Sequence, residues 1–226
     1  MKKNLLTVAL LSALSLSAQA ESFNAGDIVV RGGATLVNPD SNKANVALNG
    51  DASAGLQVSV DDNTQLGLNA LYFVDSNWAI ELLAATPFTH AITVHDKNAA
   101  LGVDGAKLAE VTHLPPTLSA VYYFDVNSNF KPYVGAGINY TVFFEEEFEA
   151  APKSMGFNDL SLDDSFGLAL QVGADYYFDK HWHINASVRY IDIETQATFK
   201  VGNSVDGSAD VSIDPMVYSL MIGYKF

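Results

Sequence analysis

The sequence contains no cysteine. That excludes thiol nucleophiles, thiolate metal sites and disulfides, and leaves an exported fold to be held by hydrogen bonds and packing. Beyond its first twenty residues it also lacks any run of the roughly 18 uncharged apolar residues that a membrane-spanning helix requires. Basic side chains are scarce: 12 Lys and Arg face 26 Asp and Glu, for a formal charge of −14, which excludes nucleic acid as a partner on electrostatic grounds. No Asp-x-Asp-x-Asp-Gly spacing marks a calcium loop, and no local motif marks a catalytic nucleophile. Of the 5 histidines, His181 and His183 are two apart without a third ligand nearby, so no metal is expected. His90, His95 and His113 border one long connection and read as rim residues. A lipid-modifying barrel enzyme is the least favoured alternative, and no cofactor is expected.

What is present begins with a leader. Lys2 and Lys3 precede an apolar stretch from Leu5 to Leu16, and Ala18-Gln19-Ala20 supplies small residues for a signal peptidase. Residues 1–20 are therefore expected to be a signal peptide cleaved before Glu21, with residues 21–226 forming one domain. Without Lys2 and Lys3, ten basic residues remain against 26 acidic ones. Most of the acid falls in long connections, including Glu145, Glu146, Glu147 and Glu149, and reads as solvation or as a route to lipopolysaccharide through divalent cations.

The dominant pattern is an alternation of period two. Leu66, Leu68, Ala70 and Tyr72 share one face, as do Trp78, Ile80, Leu82, Ala84, Thr86 and Phe88. The same holds for Phe166 to Phe178 on even numbers, and for Met216, Tyr218, Leu220, Ile222, Tyr224 and Phe226. Eight such segments are found, and their opposite faces hold Gly, Ser, Asn, Gln and a few charges. A soluble lipocalin-like barrel would need a charged outer face. This inside-out pattern predicts instead an eight-stranded antiparallel transmembrane β-barrel with lipid outside. Short connections at 75–77, 125–131 and 179–181 are expected in the periplasm, and long loops at 37–63, 91–112, 145–163 and 200–210 outside the cell. Trp78, Trp182, Tyr122, Tyr123, Tyr176, Tyr177 and Phe178 read as the periplasmic aromatic girdle. A terminal Phe226 resembles the signal by which such barrels reach their assembly machinery, and a monomer in outer-membrane lipid is expected.

The predicted lumen carries Asp27, Glu81 and Asp175 against Arg31, Arg189 and Lys225, a balanced set that suits internal ion pairs better than a charge-selective pore. Leu71, Phe73, Leu83, Ala85, Pro87, Val121, Tyr123, Phe143, Val217 and Met221 should share that interior. Pro87 lies nine residues past Trp78 and Pro115 nine before Phe124, with Pro116 beside it. These three should stand level on adjacent strands. Since proline cannot donate to a ladder, they mark either a weakened lateral seam or the end of the paired region.

Four stretches, WAIELLAATPFTHAI (78–92), HLPPTLSAVYYF (113–124), KPYVGAGINYTVFF (131–144) and LSLDDSFGLALQVGADYYF (160–178), closely resemble the outer membrane protein W family over nearly the whole mature chain. The resemblance implies a barrel with a narrow hydrophobic channel for small apolar molecules. It also implies a lumen constriction at Leu83 with an aromatic on the seventh strand, where this chain carries Arg189, expected to pair with Glu81. The expected function is an outer-membrane channel for small hydrophobic molecules, with release into the membrane. The alternative is a surface receptor or adhesion barrel acting through its acidic loops.

Overall fold

A computed structural model describes residues 22–40, 43–52, 55–98 and 102–226. The expected signal peptide and its cleavage point lie outside the described residues. In chain order the strands are β1 (Ile28–Asn38), β2 (Ala44–Leu48), β3 (Leu56–Val60), β4 (Asn63–Phe73), β5 (Trp78–Ala85), β6 (Phe88–Asp96), β7 (Lys107–Leu114) and β8 (Thr117–Tyr123). There follow β9 (Phe130–Phe148), the short helix α1 (Ala150–Ser154), β10 (Phe157–Leu162), β11 (Ser165–Tyr177), β12 (Trp182–Ile191), β13 (Glu194–Val201), β14 (Val205–Ser212) and β15 (Met216–Lys225).

Eight strands close the wall in the order β1-β4-β5-β8-β9-β11-β12-β15, with β15 pairing back onto β1. One level of the ladder runs Ile28–Tyr72–Ile80–Ala120–Ala136–Leu170–Tyr190–Met216 and returns to Asn38, ten residues further along β1. A stagger of ten over eight strands fixes a strand tilt of about 40° and leaves an interior that side chains fill. The period-two reading assigns the faces correctly: Leu66, Leu68, Trp78, Ile80, Phe166, Leu168, Leu220 and Ile222 are exposed to the outside. On β11 the outward residues run from Phe166 to Phe178, which at this tilt spans about 30 Å, the thickness of a hydrocarbon core.

The turns at the periplasmic end are short because Asp pre-folds them. Asp75 Oδ1 accepts hydrogen bonds from the main-chain N–H of Asn77 (2.8 Å) and Trp78 (2.7 Å). Asp179 Oδ1 does the same for His181 and Trp182, both at 2.8 Å. These donors hold both carboxyls below the usual range.

Three expectations are corrected. The long connections are not loops: β2 with β3, β6 with β7, and β13 with β14 are hairpins that stand on the wall strands, while β10, which follows the upper part of β9 and α1, pairs with β13. They join side by side into a second sheet, β10-β13-β14-β2-β3-β6-β7-β9. Alternation was legible there only in part, because bulges shift the register at Ile92/Thr93, Glu110/Thr112 and Asn158/Ser161. Second, Tyr123 and Tyr177, read as girdle residues, are buried inside the barrel. Third, Pro87 is exposed and Phe88 is buried, the reverse of the expected faces. The cause is local: β5 ends at Ala85, and β6 starts at Phe88 with its alternation flipped by the interruption.

That interruption belongs to a waist around the barrel. Seven wall strands are separated from their upper continuations by short breaks containing Pro39, Asp61 and Asp62, Pro87, Pro115 and Pro116, Asp163 and Asp164, Asp192, and Pro215; only β9 runs through unbroken. Several of the acids replace lost ladder bonds. Asp61 Oδ1 accepts from the N–H of Ala91 (2.7 Å), Asp164 Oδ1 from Phe143 (3.2 Å) and Asp214 Oδ1 from Ile193 (3.1 Å). Part of the negative charge is therefore built into the fold rather than carried on loose loops.

Candidate functional site: a layered lumen and a gap in its wall

The lumen is filled in layers. At the periplasmic end Phe23 enters from the segment before β1 and stacks on Phe73 at 4.0 Å between ring centroids, with its edge towards Tyr123 at 4.8 Å. Val29, Leu71, Ala79, Val121, Tyr133 and Tyr177 complete this apolar plug. Phe23 carries no alternation signal, since it precedes the first strand, and the sequence reading missed it.

Above the plug lies a sealed polar layer. Glu81 takes hydrogen bonds from Arg189 and from Gln171 Nε2 (2.8 Å), and Arg189 also reaches Gln171 Oε1 (2.6 Å). Arg31 pairs with Asp175 at 2.6 Å and lies 3.8 Å from the second oxygen of Glu81. Asn185 (2.7 Å) and Tyr123 (3.1 Å) donate to the oxygens of Asp175. Two guanidiniums thus face two carboxylates, all in the interior, which is the only economical way to hold such charges in a low-dielectric wall. The expected Glu81–Arg189 pair is present, as part of a network that also includes Arg31. Lys225 and Asp27 pair separately at 3.5 Å. Leu83 and Met221 stand in this belt, opposite Asn69 and Asn185 respectively. Phe143 and Val217 lie higher, with Val37, Phe88, Val111 and Ile213. The lumen residues named from sequence are all interior except Pro87, but they fall in three layers and form no single constriction.

Over the upper apolar layer, inside the extracellular hairpins, lies a cavity of about 70 Å³ lined by Val58, Val111, Phe143, Phe148, Phe199 and Ile213, among others. A second, of about 80 Å³, sits nearer the tip under α1 and shares Val46, Leu108 and Phe199 with the first. Apolar cavities of this kind stay dry.

The three prolines flank one break between neighbouring wall strands. The β5–β8 ladder ends at Leu83–Thr117, and the β6–β7 ladder starts at Phe88–His113. Between these pairs residues 84–87 stand against only 114–116: continuing the lower register puts 84 opposite 116, 85 opposite 115 and 86 opposite 114, two of the three pairs containing a proline, and leaves Pro87 as an extra residue before the Phe88–His113 pair. Elsewhere the waist is bridged: Asp40 N–H reaches Ile213 at 2.8 Å and Thr86 N–H reaches Leu66 at 2.9 Å. The gap borders Phe88, His113 and Phe143, and the last two line the floor of the cavity.

His90 and His113 stand above the exposed apolar band, outside the membrane-spanning wall. Burial lowers the pKa of His90, and burial together with repulsion from His90 lowers that of His113 to about 3. A base held neutral in the fold lends stability that is complete above the unfolded value of 6.5 and is lost as pH falls from there towards 3. The loss for His113 reaches about 2 kcal/mol at pH 5. Amide exchange in β6 and β7 should therefore accelerate on acidification relative to a His113→Phe variant. Identical pH dependence in the two proteins would contradict this.

Comparisons with known proteins agree with the geometry. A model of the OmpW family matches residues 24–226. Outer membrane protein W of Vibrio cholerae is 45% identical over 227 residues, covering 100% of both chains. The crystal structure of the outer membrane protein OprG from Pseudomonas aeruginosa superposes with a TM-score of 0.83 at 40% identity, over 91% of this chain and 98% of that one. The dibenzothiophene metabolism operon protein PahQ of Pseudomonas aeruginosa is 28% identical over 183 residues, 81% of each chain.

Proposed function

The chain belongs to the OmpW family of outer-membrane β-barrels, and from that premise we propose that it conducts small hydrophobic molecules through the polar outer face of the cell and releases them sideways into the membrane. The observation that carries this reading is a succession of three features down the barrel. An apolar cavity lies uppermost, the polar network of Arg31, Glu81, Asp175 and Arg189 fills the lumen towards the periplasm, and the wall ladder lapses at Pro87, Pro115 and Pro116 between them. An apolar solute gains nothing by crossing a layer of ion pairs. Moving into lipid favours it by about 25 cal/mol per Å² of apolar surface. The relative PahQ bears the name of dibenzothiophene metabolism, and dibenzothiophene is a small apolar aromatic, the class this interior suits.

On this reading the barrel acts as a monomer without cofactor or catalytic group, in contact with outer-membrane lipid and lipopolysaccharide. Residues 1–20 direct export and are removed before Glu21. Phe226, whose N–H closes the seam onto Ile28 at 2.8 Å while its ring faces outward, engages the assembly machinery. Deleting Phe226 should lower the amount of compact, heat-modifiable barrel in outer-membrane fractions several-fold, and an unchanged amount would remove that role.

The functional test is uptake of naphthalene by cells with matched amounts of folded protein. The protein should raise the initial rate several-fold over cells lacking it, and replacing the hairpin tips at 49–52 and 202–206 should leave that gain in place. No gain would refute conduction. A gain lost with the tips would favour a receptor that acts through its surface.

A further inference from the structure

The cavity above the seam has an uneven lining. Most of it is aliphatic or phenyl, but at its floor stand the rings of His90 on β6 and His113 on β7. They are 3% and 4% exposed and stack on each other at 5.0 Å between centroids. Phe88 lies 5.6 Å and Phe143 5.7 Å from His113, so four flat rings make a continuous aromatic platform.

Hydrogen bonding defines what the platform lacks. His90 Nδ1 lies 2.6 Å from the main-chain carbonyl oxygen of Asp61. A carbonyl only accepts, so Nδ1 carries the hydrogen, and Nε2 of the neutral ring is an acceptor. That Nε2 and His113 Nδ1 are both buried without a partner. Unpaired buried nitrogens are costly and uncommon. A passage shaped for hydrocarbons alone would be served better by Leu or Phe at both positions.

We propose that His90 and His113 form a recognition element for small aromatic molecules bearing a single hydroxyl, with phenols as the simplest class. The inference rests on the conduction reading and narrows it. The hydroxyl donates to His90 Nε2, the aromatic ring lies against Phe143, and His113 turns about its own side-chain bonds to present a ring nitrogen to the same oxygen. A hydrocarbon of equal size fills the same space but leaves both nitrogens unpaired, so it is held less tightly. Because the pair adjoins the gap at Pro87 and Pro115, selection acts where the solute leaves the lumen.

The test uses two probes of nearly equal shape, p-cresol and p-xylene, titrated into the full-length folded protein in lipid nanodiscs, with protein-free discs as the partitioning control. The wild-type protein should bind p-cresol about tenfold more tightly than p-xylene after that correction. The His90→Phe/His113→Phe variant should bind both alike. A second readout does not depend on the variant folding: the side-chain ¹⁵N resonance of His90 Nε2 in the wild type should shift with p-cresol and stay in place with p-xylene. Saturable binding of both probes without preference, or without that shift, overturns the recognition element and leaves conduction intact. No saturable binding of either probe overturns both.

Discussion

Arg189→Ala is expected to destabilise the folded barrel by about 3 kcal/mol, the lower end of what breaking a buried pair costs. Glu81 is fully buried and accepts from Arg189 and Gln171, while the second guanidinium, Arg31, stays 3.8 Å away. Removing Arg189 strands a carboxylate whose remaining compensation comes from one amide and a distant cation. The Glu81→Leu/Arg189→Leu double variant removes one charge of each sign and leaves Arg31 with Asp175, so it should cost less than the single change. Urea unfolding in lipid vesicles over the full set of variants measures the coupling. Equal destabilisation by the single and double variants would mean that the two side chains do not act as a pair.

Pro87→Thr with Pro115→Val is expected to lower uptake of naphthalene strongly while leaving the barrel folded. Both positions lack a donor because of the proline: Pro115 stands opposite residue 85 in the continued register, and Pro87 is the extra residue next to the Phe88–His113 pair. Two restored hydrogen bonds at about 1 kcal/mol each would reduce an opened population roughly 30-fold. Hydrogen exchange at the two new amides reports whether the ladder is repaired. Unchanged uptake beside protected amides would mean that the prolines only terminate strands.

Much of this was legible in the sequence because a barrel wall obeys one rule. Each residue faces lipid or lumen by parity, so Leu71, Phe73, Leu83, Val121 and Met221 could be placed inside from their spacing alone, and Glu81 matched to Arg189 by charge. The rule fails where parity is reset. Pro87 and Phe88 were exchanged because one extra residue at the break, four (84–87) against three (114–116) on the neighbouring strand, inverts the phase, and nothing in the alternation itself reveals it. The hairpins above the waist were hidden by bulges and by their many small and acidic residues, which read as loop. The contribution of Asp61, Asp164 and Asp214 was hidden for a different reason: a carboxylate that caps a broken ladder looks the same in sequence as one that is solvated. Arg31 was recognised as a lumen charge, but its bridge between Asp175 and Glu81 spans strands far apart in sequence, and only the closed ring brings them together. The histidine pair was read as rim because its burial depends on the same unforeseen hairpins.

Solute is expected to leave through the wall between β5 and β8, and the absence of cysteine makes one measurement decisive. In the continued register residue 86 faces residue 114, the one pair at the gap without a proline. Thr86→Cys with Leu114→Cys places two thiols across it, and any disulfide in the protein must then be that bond. Naphthalene uptake should fall to the level of cells lacking the protein when the bond is formed, and return when it is reduced. Undiminished uptake with the disulfide fully formed would contradict lateral release at this seam.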